Sequence, residues 1–330
     1  MHTFVISEVG SNHNRNFELA KECIRKSKWA GADAVKFQTY SSETLYAPRV
    51  KDFGGYKNIN KLIKDIELPR HWQADLKRYA EEEIGIEWFS TPFDEFAVDE
   101  LVEIGVKRLK IAGFESTDPR LVKYCAKTKL PIIFSAGIGG DPQKTIDWIL
   151  EENLNADITA LHCNNAYPTP PEDVNLDTLE KWQYEQWYDW ANIGLSDHTM
   201  STLTPALAVI RGATVIEKHT TVNNNFSGPD HLFALEYHAF KKCIDNIRYA
   251  EKCFGVSEKI TPSEEKMKEA MRSAVAKADI VEGDVFSEEN ITTMRSCLSD
   301  SLPAEKYYNL LGKKCKYSYK TGDIIQGIEL

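Results

Sequence analysis

Two pairs of side chains in this sequence could carry out chemistry together, although they lie far apart along the chain. Lys36 and Lys110 supply ammonium groups, and His198 and His219 supply imidazoles. Ammonium groups beside hydroxyl and amide side chains form the donor-rich surface that a phosphate and a carboxylate require. Two imidazoles can bind one divalent ion and leave coordination positions open for a substrate oxygen and water. The sequence therefore predicts an anion site and a metal site suited to polarising an aldehyde.

These residues fall within a regular alternation of strand and helix patterns. Short β-rich segments recur about every 25 to 35 residues, with amphipathic stretches such as 18–29 and 71–82 between them. The predicted strands are 4–8, 34–38, 87–90, 108–111, 132–135, 158–162, 192–195 and 214–218. Eight such units in about 240 residues predict an α/β fold, a (β/α)8 TIM barrel. A doubly wound open sheet is the alternative, but the fingerprint G-x-G-x-x-G is absent after the first strand.

Polar side chains gather at the carboxyl ends of these predicted strands, where (β/α)8 barrels carry their chemistry. The set comprises Glu8, Lys36, Gln38, Thr91, Lys110, Glu115, Ser135, Asn165, Tyr167, Ser196, His198 and His219. Each residue alone has an ordinary structural explanation, such as a solvent-facing lysine or a hydrogen-bonded histidine. Their joint occurrence on nearly every strand is improbable for a barrel without a site, so we predict one active site at this end.

A second, smaller module follows the barrel. The polar segment 257–268 carries no strand pattern and predicts a linker or a solvent-facing helix. Beyond it, 274–280, 281–285 and 317–325 are predicted to be short strands separated by turns that contain glycine. We place the barrel at 1–255, the linker at 256–271 and a small β-rich domain at 272–330. About sixty residues make a marginal core, so this domain should pack on the barrel or on a partner subunit.

Composition and charge exclude several classes of protein. The 330 residues carry a formal net charge of −10, which disfavours nucleic acid and anionic membranes as partners. The apolar runs are far shorter than the roughly 20 residues that span a bilayer, and the N-terminus has no secretory pattern. Seven scattered cysteines without a CxxC pair indicate neither a disulfide framework nor a zinc cluster. We expect a soluble, cytoplasmic protein.

Several longer segments resemble those of the sialic acid (N-acetylneuraminate) synthase family, which includes the legionaminic and pseudaminic acid synthases. They are EVGSNHN from residue 8, GADAVKFQ from 31, FSTPFD from 89, LHC from 161 with YP at 167, GLSDHT from 194, IEKH from 216 and GPDH from 228. The last three, in this order and spacing, are highly specific. The resemblance runs the length of the chain.

The resemblance implies a carbon–carbon bond-forming transferase. Its reaction is the metal-dependent condensation of phosphoenolpyruvate with an open-chain N-acylated hexosamine, N-acetylmannosamine or a related sugar, giving a nine-carbon keto acid and phosphate. By position, the phosphoenolpyruvate would be held by Lys36, Thr91, Lys110, Ser135, Asn165 and Ser196, and Mn²⁺ or Mg²⁺ by His198 and His219. Glu8, Glu115 and Asp230 match the sugar-binding and proton-handling carboxylates, with Gln38 and Tyr167 beside them. Glu8, Lys36, Lys110 and Glu115 are thus the implied catalytic residues.

The C-terminal module resembles the antifreeze-like (SAF) domain of this family. In the family, that domain covers the active site of the other subunit of a domain-swapped homodimer and donates an arginine to the sugar. The matching position is Arg295. The resemblance therefore implies a homodimer in which Arg295 completes the sugar site.

The sequence departs from the family pattern in three places. Gly113-Phe114-Glu115 stands where Ser-Gly-Glu is usual, which removes a hydroxyl and puts a bulky ring beside the carboxylate. Ala136 replaces a common threonine, and the residues after Arg295 differ from the usual Pro-Gly-Asn-Gly. The C4 and C6 substituents of the sugar are expected to be read by the shape of the pocket, for which Phe114, Tyr167 and the loop 41–62 are the candidates.

Two alternative functions remain at this point. The barrel could be a catalytically silent sugar- or phosphate-binding protein, given the altered Gly113-Phe114 corner. It could also be another phosphoenolpyruvate-dependent keto-sugar-acid synthase that acts on a phosphorylated sugar. The C-terminal module and the pair formed by His198 and His219 argue against the second alternative.

Overall fold

The computed structural model describes residues 2–185, 189–255, 261–298 and 301–326. The chain divides into two compact units, Met1–Gly255 and Val256–Leu330. The boundaries 1–255, 256–271 and 272–330 stay a prediction, since part of the predicted linker lies outside the described residues. None of the helices in these described ranges has the length and apolar character needed to cross a membrane.

The first unit is a nearly closed barrel of eight parallel strands, which confirms the predicted fold class. The strands are β1 (Phe4–Gly10), β2 (Ala34–Thr39), β3 (Glu87–Pro92), β4 (Leu109–Ile111), β5 (Ile132–Ala136), β6 (Ile158–Cys163), β7 (Asn192–Asp197) and β8 (Val215–Thr221). Hydrogen bonding gives the order β3-β2-β1-β8-β7-β6-β5-β4, and β3 packs against β4 to complete the ring. All eight predicted strands are present, and several continue beyond the predicted end toward the site.

Helices connect the strands and cover the outside of the barrel. They are α1 (Phe17–Ala30), α2 (Ile59–Ile66), α3 (Gln73–Arg78), α4 (Glu95–Glu103), α5 (Pro119–Lys127), α6 (Pro142–Glu152), α7 (Asp177–Trp182), α8 (Thr204–Ile210) and α9 (Tyr237–Cys253). Side-chain caps explain where several of them begin, because Asn16, Asp94, Asp118 and Asp141 each accept a hydrogen bond from a backbone N–H of the first turn. The predicted stretch 71–82 divides into 3₁₀, α and π turns.

Strand β8 shows how the barrel carries ionisable groups on a buried strand. All seven of its residues are buried, including Glu217, Lys218 and His219. Successive side chains of a strand point to opposite faces, so Lys218 lies on the other face from its two neighbours. Lys218 pairs there with the buried carboxylate of Asp197. A buried charge is tolerated when it is paired. The neighbours of Glu217 and His219 lie on the other, inner face of the barrel, in the site described below.

A long connection between β2 and α3 adds a small apolar cluster beside the mouth of the barrel. We call residues 41–68 the 41–68 segment. It contains a short hairpin, Asp52–Phe53 with Tyr56–Lys57, and helix α2. Ile59, Ile63 and Ile66 of this segment pack with Tyr40 into a cluster separate from the main core.

The second unit contains one antiparallel pair of strands, β9 (Arg272–Ala276) and β10 (Ile291–Arg295), and helix α10 (Tyr307–Leu310). Its β-rich character is confirmed, but the predicted strands at 281–285 and 317–325 are wrong. These segments form only isolated bridges, such as Val285 with Lys314 and Val275 with Ile324. Gly283 and Gly322 adopt positive φ angles there, which interrupts an extended strand.

Candidate active site

The two predicted anion-binding lysines lie together inside the barrel, and a carboxylate lies between them. Lys36 and Lys110 are each only 2% exposed. Lys36 Nζ lies 3.6 Å from Oε2 of Glu217, and Lys110 Nζ lies 3.5 Å from Oε1 of the same carboxylate. Lys36 Nζ also lies 2.7 Å from Oε2 of Glu8. Strands β1, β2, β4 and β8 thus bring two buried ammonium groups and two buried carboxylates into one cluster.

The predicted hydroxyl groups surround this cluster. Lys36 Nζ donates to Oγ1 of Thr91 at 2.8 Å, and Lys110 Nζ donates to Oγ of Ser135 at 2.8 Å. A hydroxyl that accepts from an ammonium still has its own proton to donate to a ligand. Ser196 Oγ instead donates to Oε1 of Glu217 at 3.0 Å. Thr91 and Ser135 are therefore each held by an ammonium group while keeping a hydroxyl proton of their own.

The charges of the cluster shift the pKa of each member. Burial alone would raise the pKa of Glu217, but the positive charges of Lys110 and Lys36 lower it to about 2. Burial lowers the pKa of Lys36, but the negative charges of Glu217 and Glu8 outweigh it and raise the pKa. The pKa of Lys110 is lowered by burial, which the Glu217 charge only partly offsets, and by repulsion from Lys36. Of these two lysines, Lys110 has the less fully compensated positive charge, so an anionic ligand would stabilise its charged form more.

The two predicted metal-binding histidines lie side by side. The ring centroids of His198 and His219 are 5.4 Å apart. Nδ1 of His198 donates to the carbonyl oxygen of Asn164 at 2.6 Å, which leaves the lone pair on Nε2. Nδ1 of His219 is buried and has no hydrogen-bond partner among the described residues. The two imidazoles are therefore close neighbours and are the candidate pair for a metal ion.

Burial keeps both imidazoles neutral. It lowers the pKa of His198 to about 4, with help from His219, and the pKa of His219 to about 3, with help from the positive charge of Lys36. Neutral imidazole is the form that binds metal, so the donor set suits a divalent ion at neutral pH. Within the described ranges of the chain, no three His, Cys, Asp or Glu side chains gather as a metal cluster.

Aromatic rings hold the imidazoles in place. Tyr167 lies 4.3 Å from His198 between ring centroids, and Phe233 lies 5.0 Å from His219 and 5.1 Å from Tyr167. Tyr167 remains 46% exposed, so one part of its ring supports His198 while another faces solvent. Tyr167 was predicted from the sequence, and Phe233 was not.

The remaining predicted residues of the barrel lie around an adjoining cavity of about 240 Å³. Gln38, Glu115, Asn165, Tyr167, His219 and Asp230 all line it. Glu8 lies just behind, where Gln38 Nε2 donates to its Oε1 at 2.7 Å. A larger hollow of about 610 Å³ beside Arg70 and Arg120 is lined by Ser41, Glu43 and Thr44 of the predicted loop 41–62, but by none of the predicted catalytic, anion-binding or metal-binding residues among those described.

Two carboxylates of the cavity are held in different ways. Oδ2 of Asp230 accepts from the backbone N–H and the hydroxyl of Ser11, at 3.1 and 2.8 Å. Gly10 makes room for it, because a Cβ at that residue would lie 2.7 Å from this oxygen. Glu115 follows β4, and its buried Oε2 has no hydrogen-bond partner in the part of the chain that the structure describes. Burial raises the pKa of this carboxyl. Glu115 is thus the better placed of the two to accept a proton.

Arg295 is the one predicted site residue outside the barrel unit. It ends β10, pairs in register with Arg272, and is exposed. Glu217 is the main residue that the predicted set omitted, although the motif IEKH contains it. It lies two residues before His219 on the same strand, and a period of two would have placed both on the inner face.

Comparison with known proteins shows the family of the chain. Residues 23–259 match the NeuB family, and residues 271–327 match the SAF domain. The chain belongs to the NeuB family, as its motifs predicted. It is 36% identical to a pseudaminic acid synthase of Campylobacter jejuni, over 98% of this chain and 95% of that protein. It is 34% identical to an N,N'-diacetyllegionaminic acid synthase of Legionella pneumophila, over 98% of this chain and 93% of that protein.

The fold is similar to that of a solved relative. The structure of the N-acetylneuraminic acid (sialic acid) synthetase from Leptospira borgpetersenii, in complex with citrate, superposes with a TM-score of 0.71 at 30% identity. The superposition covers 81% of this chain and 90% of that one.

Proposed function

We propose that this protein condenses phosphoenolpyruvate with an N-acylated hexosamine to give a nonulosonic acid and inorganic phosphate. The observation that carries the proposal is the buried pair of Lys36 and Lys110 beside the neutral pair of His198 and His219, at one end of a (β/α)8 barrel. The first pair suits an anion with a phosphate and a carboxylate, and the second suits an ion next to an aldehyde. The named activities of its NeuB relatives support the same reaction.

Phosphoenolpyruvate would bind at the lysine pair. Lys36 and Lys110 exchange part of their contact with Glu217 for the ligand's phosphate and carboxylate, and the hydroxyls of Thr91 and Ser135 donate to it. Ser196 holds Glu217 at the back of the cluster. Asn165 accepts the backbone N–H of Ile138 on its Oδ1 at 2.7 Å, and its side chain also hydrogen-bonds Tyr167. An amide carries two N–H donors, so one of them would donate to the ligand.

His198 and His219 would hold a divalent ion, Mn²⁺ or Mg²⁺. Such an ion supplies a positive charge that polarises the carbonyl of the sugar aldehyde. The protein's own part is to keep the two imidazoles neutral and oriented. Asn164 fixes the tautomer of His198, and the rings of Tyr167 and Phe233 fix the planes of both imidazoles.

The reaction then needs one base and one acid. C3 of phosphoenolpyruvate forms a bond to the aldehyde carbon, whose oxygen gains a proton and becomes a hydroxyl. Water adds at C2 and loses one proton to the base. The C2–O bond to phosphate then breaks, and the new hydroxyl gives its remaining proton to the departing phosphate, which leaves the ketone. Glu115, with its unpartnered Oε2 and raised pKa, is our candidate for the base that accepts the water proton. Lys36 and Lys110 stabilise the departing phosphate.

The sugar would lie in the adjoining cavity. Gln38 and Asp230 contact its hydroxyl and acylamino groups, Tyr167 covers it, and Glu8 orients Gln38 through the hydrogen bond between them. We propose that Arg295 of a partner subunit completes this site in a domain-swapped homodimer, as the family resemblance implies.

The test is an acceptor panel. The protein is mixed with Mn²⁺, phosphoenolpyruvate and either free or phosphorylated N-acyl hexosamines, and phosphate and keto acid are measured by colorimetry and mass spectrometry. Equal amounts of phosphate and nine-carbon acid are expected from a free sugar. No release with any acceptor would favour a silent binding barrel. Lys110→Met should abolish release, whereas Lys107→Met, at an exposed residue just before β4, should not.

A further inference from the structure

We infer that Lys218 and Asp197 are positioning residues, which hold His198 and His219 at the separation that one metal ion needs. This inference rests on the proposed metal site and concerns how the barrel builds it. Both charged side chains are 1% exposed, and they lie on the outer face of the barrel wall, opposite to Glu217 and His219. They therefore act through the two histidines and do not contact a substrate.

The ion pair and the imidazole pair are consecutive steps of the same two strands. In the parallel ladder of β7 and β8, Lys218 lies opposite Asp197, and the next residue along each strand is a histidine. Nζ of Lys218 lies 2.5 Å from Oδ2 of Asp197. Consecutive Cα atoms are only about 3.8 Å apart. An ion pair that fixes the spacing of the strands at one step therefore also restricts it at the next, where His198 and His219 stand.

The ammonium group of Lys218 contacts the two residues that flank His198. Within the described ranges, Nζ donates to Oδ2 of Asp197, to the carbonyl oxygen of Thr199 and, at 3.4 Å, to Oγ1 of Thr199. An ammonium group has three N–H donors, so these contacts use all of them. Lys218 thereby holds the turn that carries His198 from the strand that carries His219.

Asp197 holds the same turn from its other end. Oδ1 of Asp197 accepts the backbone N–H of Thr199 at 2.9 Å, and Oδ2 accepts the hydroxyl of Thr199 at 3.1 Å. The carbonyl oxygen of His198 accepts the backbone N–H of Thr169 at 2.9 Å. The backbone is thus fixed on both sides of His198, whose Nδ1 then reaches the carbonyl oxygen of Asn164.

A role in stability alone does not explain why this pair is charged. Replacement of a buried ion pair by apolar residues of similar volume is often neutral or stabilising. Charge-assisted hydrogen bonds are shorter and stronger than neutral ones, so they restrict the groups that they join more tightly. Partners that orient metal-binding side chains in this way commonly raise the affinity for the metal. The contribution of Lys218 and Asp197 is therefore to the geometry of the imidazoles.

The experiment compares the wild type with a variant that carries both Asp197→Asn and Lys218→Met. The double change leaves no unpaired charge in the barrel wall, whereas Lys218→Met alone would leave a buried carboxylate without its partner. Isothermal calorimetry measures the Kd of Mn²⁺ alone and, separately, the Kd of phosphoenolpyruvate without metal. We expect the double variant to bind Mn²⁺ at least about tenfold more weakly and to bind phosphoenolpyruvate as the wild type does.

A milder variant and a control accompany it. Thr199→Val removes only the hydroxyl that both Asp197 and Lys218 contact, and it should weaken the binding of Mn²⁺ in the same direction. The control removes another ion pair between adjacent strands, at the other end of the barrel. There, Arg108 Nε donates to Oε1 of Glu87 at 2.6 Å, just before β4 and at the start of β3. Glu87→Gln with Arg108→Met should leave both Kd values unchanged.

The possible results separate this inference from the proposed function. Wild-type affinity for Mn²⁺ in the double variant or in Thr199→Val would overturn the inference, since the histidines would be held without the ion pair. Equal weakening of Mn²⁺ and phosphoenolpyruvate binding would also overturn it, because the barrel would then have loosened as a whole. Absence of Mn²⁺ binding by the wild type would instead contradict the proposed metal site itself.

Discussion

Lys110 and Glu217 form a buried ion pair at a distance of 3.5 Å between Nζ and Oε1, and the same carboxylate lies within 3.6 Å of Lys36 Nζ. One negative charge thus holds two ammonium groups in place before any ligand arrives. Removal of one partner of a buried ion pair is strongly destabilising, because the charges left behind are unpaired. Glu217 therefore has a measurable role in the free protein.

Glu217→Gln should lower the free energy of unfolding by about 3 kcal/mol, because two buried ammonium groups lose their shared counter-ion. Inorganic phosphate or phosphoenolpyruvate should raise the melting temperature of this variant more than that of the wild type, since the ligand replaces the missing charge. Thermal melts with and without ligand measure both effects. Glu83→Gln, on an exposed residue, is the control. Equal stability of the Glu217 variant and the wild type would show that the carboxylate is not needed.

His219→Ala should weaken the binding of Mn²⁺ at least about tenfold, because one of two protein ligands is lost. Isothermal calorimetry with Mn²⁺ alone measures this without any turnover. His238→Ala is the matched control, since His238 lies exposed on α9. If both variants bound the ion as the wild type does, the imidazole pair would not be the metal site.

Glu115→Gln should decrease turnover at least about a hundredfold, as expected for the loss of a general base. The same variant should be more stable than the wild type at neutral pH in the absence of ligand. The folded-state pKa of Glu115 is raised above its ordinary value of 4.5, mainly by burial. Below pH 4.5 the carboxyl is protonated in both the folded and the unfolded protein, so it does not lower the free energy of unfolding. As the pH rises from 4.5 through the raised pKa, the unfolded state ionises more readily, and the wild type loses stability relative to the variant.

Urea unfolding of the wild type and of Glu115→Gln at pH 4 and at pH 8 measures this change. The variant should be the more stable protein at pH 8, with a smaller difference at pH 4. Glu103→Gln, an exposed change, should show no such pH dependence. A wild type that is more stable than Glu115→Gln at pH 8 would mean that the buried carboxylate has a stabilising partner.

Gly137→Ala should displace Asn165, because a Cβ there would lie 1.9 Å from its Oδ1. The hydrogen bond from Ile138 would break, and the KM for phosphoenolpyruvate should rise about tenfold, which corresponds to the loss of about one hydrogen bond. Gly139→Ala is a useful contrast. It has a positive φ of 71° but no atom within 4 Å of the new Cβ, so it should cost about 1 kcal/mol of stability and leave KM unchanged. If Gly137→Ala and the wild type had equal KM values for phosphoenolpyruvate, Asn165 would not be part of the anion site.

The sequence predicted the barrel well because each strand is a short apolar run between amphipathic helices. Most candidate site residues could be proposed from the sequence because they follow those runs at the end where barrels carry their chemistry. The predicted β8 ended too early, at Lys218, since the buried polar residues from His219 to Thr221 do not resemble strand interior. Such residues stay buried only because strands distant in sequence supply their partners.

Other features could not be found from local pattern. Glu217 looks like an ordinary charged strand residue until Lys36 and Lys110 are placed on either side of it. Phe233 supports His219 from a loop after β8, a relationship without any spacing rule. In the second unit, the segment Ile291–Arg295 has no alternation of apolar and polar residues, and its pairing with Arg272–Ala276 is what makes it a strand.

The central claim is that the lysine pair and the imidazole pair serve one cavity. The most direct test is the ³¹P linewidth of bound phosphoenolpyruvate, measured with Mn²⁺ at a concentration below that of the protein. A paramagnetic ion broadens the signal of a nucleus close to it, and a sample with Mg²⁺ gives the unbroadened line. We predict strong broadening for the wild type, and none for a variant with both His198→Ala and His219→Ala, in which the ligand still binds at Lys36 and Lys110. Bound phosphoenolpyruvate that keeps a narrow line while Mn²⁺ is bound to the wild type would contradict a shared site.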